Sequence, residues 1–310
     1  MNGRPAMSDI LPTEAEWLAE RKKGLGGSDA AAALGVPTYK TPYELWADKV
    51  SPGEIEPDAA KRELFRWGHL MEQPIAKALA EDTGRNVMLS QPYAIRRHPT
   101  CPIMFCTPDA IQRDGDRGGR VEGVGIVQIK NVDDRVAWAW KEGPPLDVEV
   151  QIQHEMECTS TKWGTIAALI GKSDFRYYDV EYDPDFVKAM MATEAKFWQR
   201  VVDHDPPPLD GTSPETYARV LRQLHPQDSG ETISLTLEVE EVGDRLLEVK
   251  AEIKNLADLK TSLENEIKQA LGDATFGTLP GGGKYSWKTT ECKGYTVKAT
   301  QQRTLRRLKK

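Results

Sequence analysis

The chain has 310 residues, 39% hydrophobic and 29% charged, enough for one domain of about 200 residues with a full core and an appendage. No apolar run approaches the roughly 18 residues of a membrane span, the start MNGRPAMSDILPTEAEW lacks a secretory apolar core, and Cys101, Cys106, Cys158 and Cys292 show no CxxC spacing, so a reduced, cytoplasmic protein without a disulfide framework or zinc site is expected. A net charge of −7 argues against a generic nucleic-acid coat, because phosphate binding is dominated by Lys and Arg.

The first helix is expected after Pro12, with Thr13 as N-cap and Glu16 in capping-box position; Trp17, Leu18 and Arg21 lie in it. Gly24-Leu25-Gly26-Gly27 stops it. Ser28 is expected to cap a second short helix, Asp29 to Leu34, which Gly35 closes. The Gly-Gly-Ser start offers free backbone N–H groups and a hydroxyl to an anion, although Asp29 puts a negative charge where a phosphate would sit. A third helix follows Thr41-Pro42 and carries Leu45 and Trp46. Lys61 to Asp82 reads as a long helix with Leu64, Trp67/Gly68, Met71, Ile75 and Leu79 as its buried stripe, ended by Gly84. Glu72 sits at the edge of that stripe, and spacing alone makes it a solvent-facing residue.

Val87 to Ile95 reads as a strand, and a strand pair follows around a polar turn: Thr107 to Ile111, a Gly/Asp/Arg-rich connector from Asp114 to Gly119, then Val124 to Lys130. Alternation puts Ile126, Gln128 and Lys130 on one face and Val127 and Ile129 on the other. A Gln and a Lys on an apolar strand need polar partners, and Asp109 is placed to supply one. Trp138 and Trp140 fall on a short helix, Val148 to Ile170 on a long helix leading into a strand, Phe175 to Tyr182 on a strand, and Asp185 to Trp198 on a helix. Pro206-Pro207-Pro208 is expected to end this domain, giving a core over 1–208 and an accessory region over 209–310. In the latter, Val242, Val249, Leu256 and Leu263 fall seven apart, with Leu246, Ile253 and Ile267 in a second register broken by Lys260. That pattern predicts a helical hairpin arm or coiled-coil segment, with packing onto the main domain as the plain alternative. Two strand-like runs close the chain, Lys284 to Lys288 and Tyr295 to Leu308, and the stretch from Lys284 onward carries nine basic residues against the single acid Glu291.

Pro108-Asp109, followed about twenty residues later by Gln128-Ile129-Lys130, resembles the core motif of the PD-(D/E)XK nuclease superfamily. The chain is further similar to the YqaJ-like viral recombinase family, relatives of the bacteriophage lambda exonuclease, over roughly residues 14 to 200. The likeness runs in order through Trp17, Arg21 and Gly27-Ser28; Gly-Gly-Ser-Asp-Ala-Ala-Ala-Ala-Leu-Gly with Tyr39-Lys40-Thr41-Pro42 and Leu45-Trp46; Trp67-Gly68-x-x-x-Glu72-x-x-Ile75; the core motif; and Gln151-Ile152-Gln153-His154-x-Met156.

The resemblance implies an α/β core with a mixed central sheet flanked by helices. It implies Asp109 as a ligand of one or two Mg²⁺ ions, with Mn²⁺ as a substitute; residue 128 as a second ligand; the Ile129 carbonyl completing the site; and Glu72 holding a water or second metal. Lys130 would attend the attacking water. Gln151, or less favourably Gln153, would orient that lysine or the scissile phosphate. Arg21 and Ser28 would receive a 5′-terminal phosphate. The activity implied is a 5′→3′ double-strand DNA exonuclease that leaves 3′ single strands for recombination. The partners implied are DNA ends, a single-strand annealing protein and two further copies in a ring-shaped homotrimer, with no membrane.

Gln128 departs from the family pattern, which has an acid there. Either it replaces a Glu, which would stop cleavage while keeping DNA bound, or the family member uses Gln naturally. A DNA-end-binding or assembly module whose nuclease centre is lost is therefore the alternative function, and a nuclease of other polarity a third.

Overall fold

The computed structural model describes residues 9–11, 13–51, 59–113 and 123–291. The chain divides into two compact units, Met1–Pro226 and Gln227–Lys310. The first runs β1 (Asp9–Ile10), α1 (Glu14–Arg21), α2 (Gly27–Ala33), α3 (Pro42–Val50), α4 (Ala59–Thr83), β2 (Asn86–Leu89), β3 (Ala94–Arg97), β4 (Phe105–Cys106), β5 (Ala110–Arg113) and β6 (Val124–Val132). A 3-10 helix (Asp134–Trp140) follows, then α5 (Leu146–Thr159), β7 (Trp163–Ile170), β8 (Asp174–Glu181), α6 (Pro184–Val202) and α7 (Pro214–Leu224).

Strands β2, β5, β6, β7 and β8 form, in that order, a five-stranded sheet in which β6 and β7 are parallel and the other pairs antiparallel. Strand β6 is apolar nearly throughout because both its faces are covered. Val127 and Ile129 meet Ile75, Ala76 and Leu79 of α4 on one face. Ile126 meets Val148, Ile152 and Met156 of α5 on the other. The alternation read from the sequence is thus the one observed, and the mixed sheet with flanking helices is the architecture expected of a PD-(D/E)XK core. A smaller sheet, β1-β3-β4, carries the chain into the segment that holds Asp109.

Local expectations hold where a side chain closes its own turn. Thr13 accepts from the backbone of Glu16, and Thr41 forms a capping box with Glu44 ahead of Pro42. Gly84 ends α4 with φ +72°, a conformation that Cβ-bearing residues disfavour. Four expectations are corrected. Gly26, rather than Ser28, is the N-cap of α2, because the side chain of Asp29 reaches back to the Gly26 N–H. Val87 to Ile95 is two strands in different sheets, separated at Tyr93, whose φ is +61°. Leu64 and Trp67 of α4 are exposed, while Ile75 and Leu79 are buried; Pro74 lies within this helix, and the packing on the sheet begins one turn before it, at the partly buried Met71. Finally, the first unit does not stop at residue 208. Tyr217 of α7 packs edge-on against Tyr43, Val220 joins the core of Leu45 and Trp46, and Arg219 pairs with Glu44.

The second unit contains α8 (Leu237–Leu271) and the hairpin β9 (Phe276–Thr278) and β10 (Lys284–Ser286). The expected hairpin arm is one uninterrupted helix of 35 residues with no buried residue. The Tyr295 to Leu308 run and most of the basic stretch lie outside the described residues. No described helix is long and apolar enough to cross a membrane.

Candidate functional site

Residues from four elements converge at the carboxyl-terminal half of β6. Asp109 lies just before β5, and its Oδ2 accepts from the backbone N–H of Ile129 at 2.6 Å and from Gln128 Nε2 at 2.7 Å. Gln128 Oε1 in turn accepts from Gln151 Nε2 at 2.9 Å. The same Gln151 nitrogen donates to Glu155 Oε1 at 2.9 Å, one turn along α5. Gln151 Oε1 accepts from Lys130 Nζ at 2.9 Å. These bonds have a fixed polarity. Lys130 can only donate and the carboxylates accept, so each glutamine amide has one orientation that satisfies its neighbours.

Burial dominates the electrostatics. It pushes the Asp109 carboxyl up to about 6, opposed by the Lys130 charge and the Ile129 N–H and reinforced by the charge of Glu72. Burial likewise pushes Glu155 up to about 7, and the Asp109 charge adds to that push. The second Glu155 oxygen, Oε2, is buried without a hydrogen-bond partner. Glu72 is partly buried on α4, with its Oε1 2.8 Å from Nδ1 of the exposed His69.

Glu155 was invisible in the sequence as a functional residue, because it fell between two resembling positions of α5. Its spacing of four from Gln151 was the available signal, since such residues share a helix face. Gln153 points to other work: it donates to the Glu181 carbonyl and accepts from the Asp183 N–H, tying α5 to the turn before α6.

The Gly-Gly-Ser loop borders this network. A Cβ on Gly27 would lie 2.5 Å from Glu155 Oε1, so only glycine lets the α2 backbone approach the carboxyl. One residue on, Ser28 Oγ accepts from Arg21 Nη2 at 2.8 Å, and the guanidinium lies 4.7 Å from the Trp17 ring centroid. The charge of Asp29, expected to repel an anion here, is turned inward. Its Oδ2 accepts from Lys49 Nζ at 2.8 Å, and both side chains are 2% exposed. Burial alone would raise this carboxyl, but Lys49, Arg21 and Lys40 hold it well below the usual range.

The oxygen-rich donor set suits a hard cation: Asp109, Glu72 and the Ile129 carbonyl, with the orphaned Glu155 oxygen nearby. Among the described residues, however, no three His, Cys, Asp or Glu side chains gather as a metal cluster. Gln128 turns its N–H, rather than its carbonyl, toward Asp109, so the set fits such an ion but is one anionic donor short. An open groove of about 540 Å³ between Trp67 of α4 and Asn131–Asp134 lies beyond Lys130 and is lined by none of these residues.

The model of the YqaJ-like viral recombinase domain matches residues 16–162, the stretch that supplies Trp17, Arg21, Ser28, Glu72, Asp109, Gln128, Lys130 and Gln151. The uncharacterized protein YqaJ of Bacillus subtilis (strain 168) is 30% identical over 278 residues, covering 88% of this chain and 82% of that protein. Among solved structures, the alkaline exonuclease LHK-Exo from Laribacter hongkongensis matches with a TM-score of 0.48 and 18% identity, over 68% of this chain and all of that one. Its complex with dAMP matches with a TM-score of 0.48 and 17% identity, over 69% of this chain and all of that one. Sharing most of its length with YqaJ, and the family's domain across the residues that meet at Asp109, the chain belongs to the YqaJ-like viral recombinase family.

Proposed function

We propose that the protein is a Mg²⁺-dependent 5′→3′ exonuclease of double-stranded DNA that leaves 3′ single strands for recombination. The observation that carries this reading is adjacency. The Arg21–Ser28 pair lies one residue from the Gly27 contact with Glu155, and Glu155 is bonded to the amide that holds Lys130. A terminal phosphate held by the guanidinium fork and hydroxyl would present the following backbone to the Asp109 centre.

Asp109, the Ile129 carbonyl and Glu72 would hold the metal, and Gln128 would join them only by turning its carbonyl from Gln151 to the ion. When bound, Mg²⁺ would polarise the phosphoryl oxygens and lower the pKa of water. Lys130, fixed by Gln151, steadies negative charge developing at the reacting phosphate and orients the attacking water. Gln151 keeps the lysine directed because its own amide is anchored at both ends. A homotrimeric ring threaded by DNA would supply processivity without a strongly basic chain, and a single-strand annealing protein would take the 3′ strand.

One observation favours a second reading, an end-binding module without cleavage. The bond from Gln128 to Asp109 satisfies the centre without metal. Digestion of a linear duplex with Mg²⁺ separates the two, comparing the chain with its Gln128→Glu variant on 5′-phosphate and 5′-hydroxyl ends. The exonuclease reading expects digestion that prefers the 5′-phosphate, in the variant if not in both. Phosphate-selective binding with no digestion by either form supports the end-binding module and refutes the nuclease.

A further inference from the structure

Helix α8 carries an apolar stripe that, among the described residues of its own unit, nothing covers. Val239, Leu246, Ile253, Lys260 and Ile267 form one seam position, and Val242, Val249, Leu256, Leu263 and Ala270 the other, along 35 residues with no buried side chain. Val242 is 69% exposed, Leu256 65% and Ile253 61%. Among the described residues, the second unit has no other helix to cover them. A stripe sustained over this length is wide enough for a two-stranded coiled coil.

The charges beside the seam discriminate between arrangements. In a parallel, in-register bundle of copies, Arg245 falls beside Lys250 of the neighbour, and Lys260 meets its own counterpart in the core. In an antiparallel pair, each residue of one seam position meets one of the other. The register with Ile253 opposite Leu256 places Leu246 opposite Leu263, Ile267 opposite Val242 and Lys260 opposite Val249. Lys260 can then extend its ammonium past the small valine to water. Arg245 of each copy faces Glu266 of the other, twice by symmetry, and no like charges within the helix face one another. Sliding by a heptad in one direction sets Glu252 against Glu266, which offsets the Lys250–Glu264 pair gained on the other flank, and shortens the overlap; sliding in the other sets Glu238 against Glu266 and Glu252 against itself. The fullest overlap is also the register with complementary charge.

We propose that α8 is an interface between two copies of this chain, packed antiparallel with Arg245 of each facing Glu266 of the other. In the single chain Arg245 bonds Glu248 at 2.7 Å, an exposed contact that pairing can replace or share. The inference stands on this helix and is independent of the nuclease reading.

The test is self-association of the full chain, followed by sedimentation and light scattering across concentration. The unsubstituted protein is expected to have twice the mass of its Leu256→Glu variant. Arg245→Glu and Glu266→Arg should each weaken the association by about tenfold, and the double exchange should restore it. The signs are decisive: in a parallel bundle Arg245→Glu would relieve the clash with Lys250 and tighten assembly. Tightening, failure of the double exchange to rescue, or a mass unchanged by Leu256→Glu would each overturn the proposal. The last outcome would mean that the stripe is covered within one chain or by a different protein.

Discussion

Replacing Gln128 by Glu should make the protein less stable without metal and more responsive to it. The amide nitrogen of Gln128 donates to Asp109 at 2.7 Å, a bond to a charged group that contributes about 1.5–3 kcal/mol. Substitution loses that amide donor and sets two carboxyls face to face, in a centre where the charge of Glu72 already raises Asp109 and the charge of Asp109 raises Glu155. Carboxylates in such contact cannot all ionise at neutral pH, so one holds a proton. That proton can bridge the two carboxyls and replace the lost donor, so the expected loss is the cost of the forced protonation, about 1.5–3 kcal/mol. For a unit of this size that corresponds to a fall in Tm on the order of 5–10 °C. A divalent cation should reverse it, because Mg²⁺ at a hundredfold its Kd adds about 2.7 kcal/mol to the folded state. The assay is thermal unfolding at neutral pH in EDTA and across a Mg²⁺ titration, run on both proteins. A substituted protein as stable as its parent in EDTA, or one that Mg²⁺ stabilises no more than the parent, would refute this account of the centre.

Three further outcomes follow from contacts elsewhere. Arg21→Ala should weaken binding of a 5′-phosphorylated duplex end by roughly 10- to 100-fold, the worth of a charge-assisted contact, and leave 5′-hydroxyl ends nearly unaffected; fluorescence anisotropy with both ends checks this without requiring cleavage. Because Glu155 is raised to about 7 from 4.5, the folded state holds its proton longer than the unfolded chain does. Stability should therefore fall as pH rises from about 4.5 to 7, by a term on the order of 3 kcal/mol for this group; Glu155→Gln should flatten that slope in chemical denaturation at pH 5 and pH 8. Ending the chain after residue 208 should lower the Tm of the first unit by roughly 10 °C relative to ending after 226, since α7 buries Val220 and packs Tyr217 on Tyr43 at about 1.5–3 kcal/mol per side chain. Equal melting temperatures would restore the boundary at 208.

What was legible in the sequence was what local chemistry or strand alternation determines. Thr13 and Thr41 announced their helices because each caps its own first turn, and the two-residue repeat of a strand determined which β6 residues share a face. What was not legible depended on which surfaces meet. The α4 periodicity marked an apolar face without saying that only the part from Met71 onward would find a sheet to cover it. The opposing charge of Asp29 looked like an obstacle to an anion because its partner, Lys49, lies 20 positions away in another helix. Glu155 looked like an ordinary helix carboxylate until the packing of α5 against α2 placed it over Gly27.

The same reasoning bears on Gln128. Set against the acid of the family pattern, it would remove charge from the proposed metal site. Within the network it is bonded at both ends, donating to Asp109 and accepting from Gln151, while Gln151 is anchored by Glu155 and Lys130. A carboxyl at 128 could still accept from Gln151 but could bond Asp109 only by way of a bound proton, so the metal-free geometry around Asp109 depends on the amide once both groups ionise. The residue that would weaken cation binding in the proposed site is therefore also the one that donates to Asp109 in its absence. Stability in EDTA and response to Mg²⁺ should move in opposite directions when this residue alone is changed.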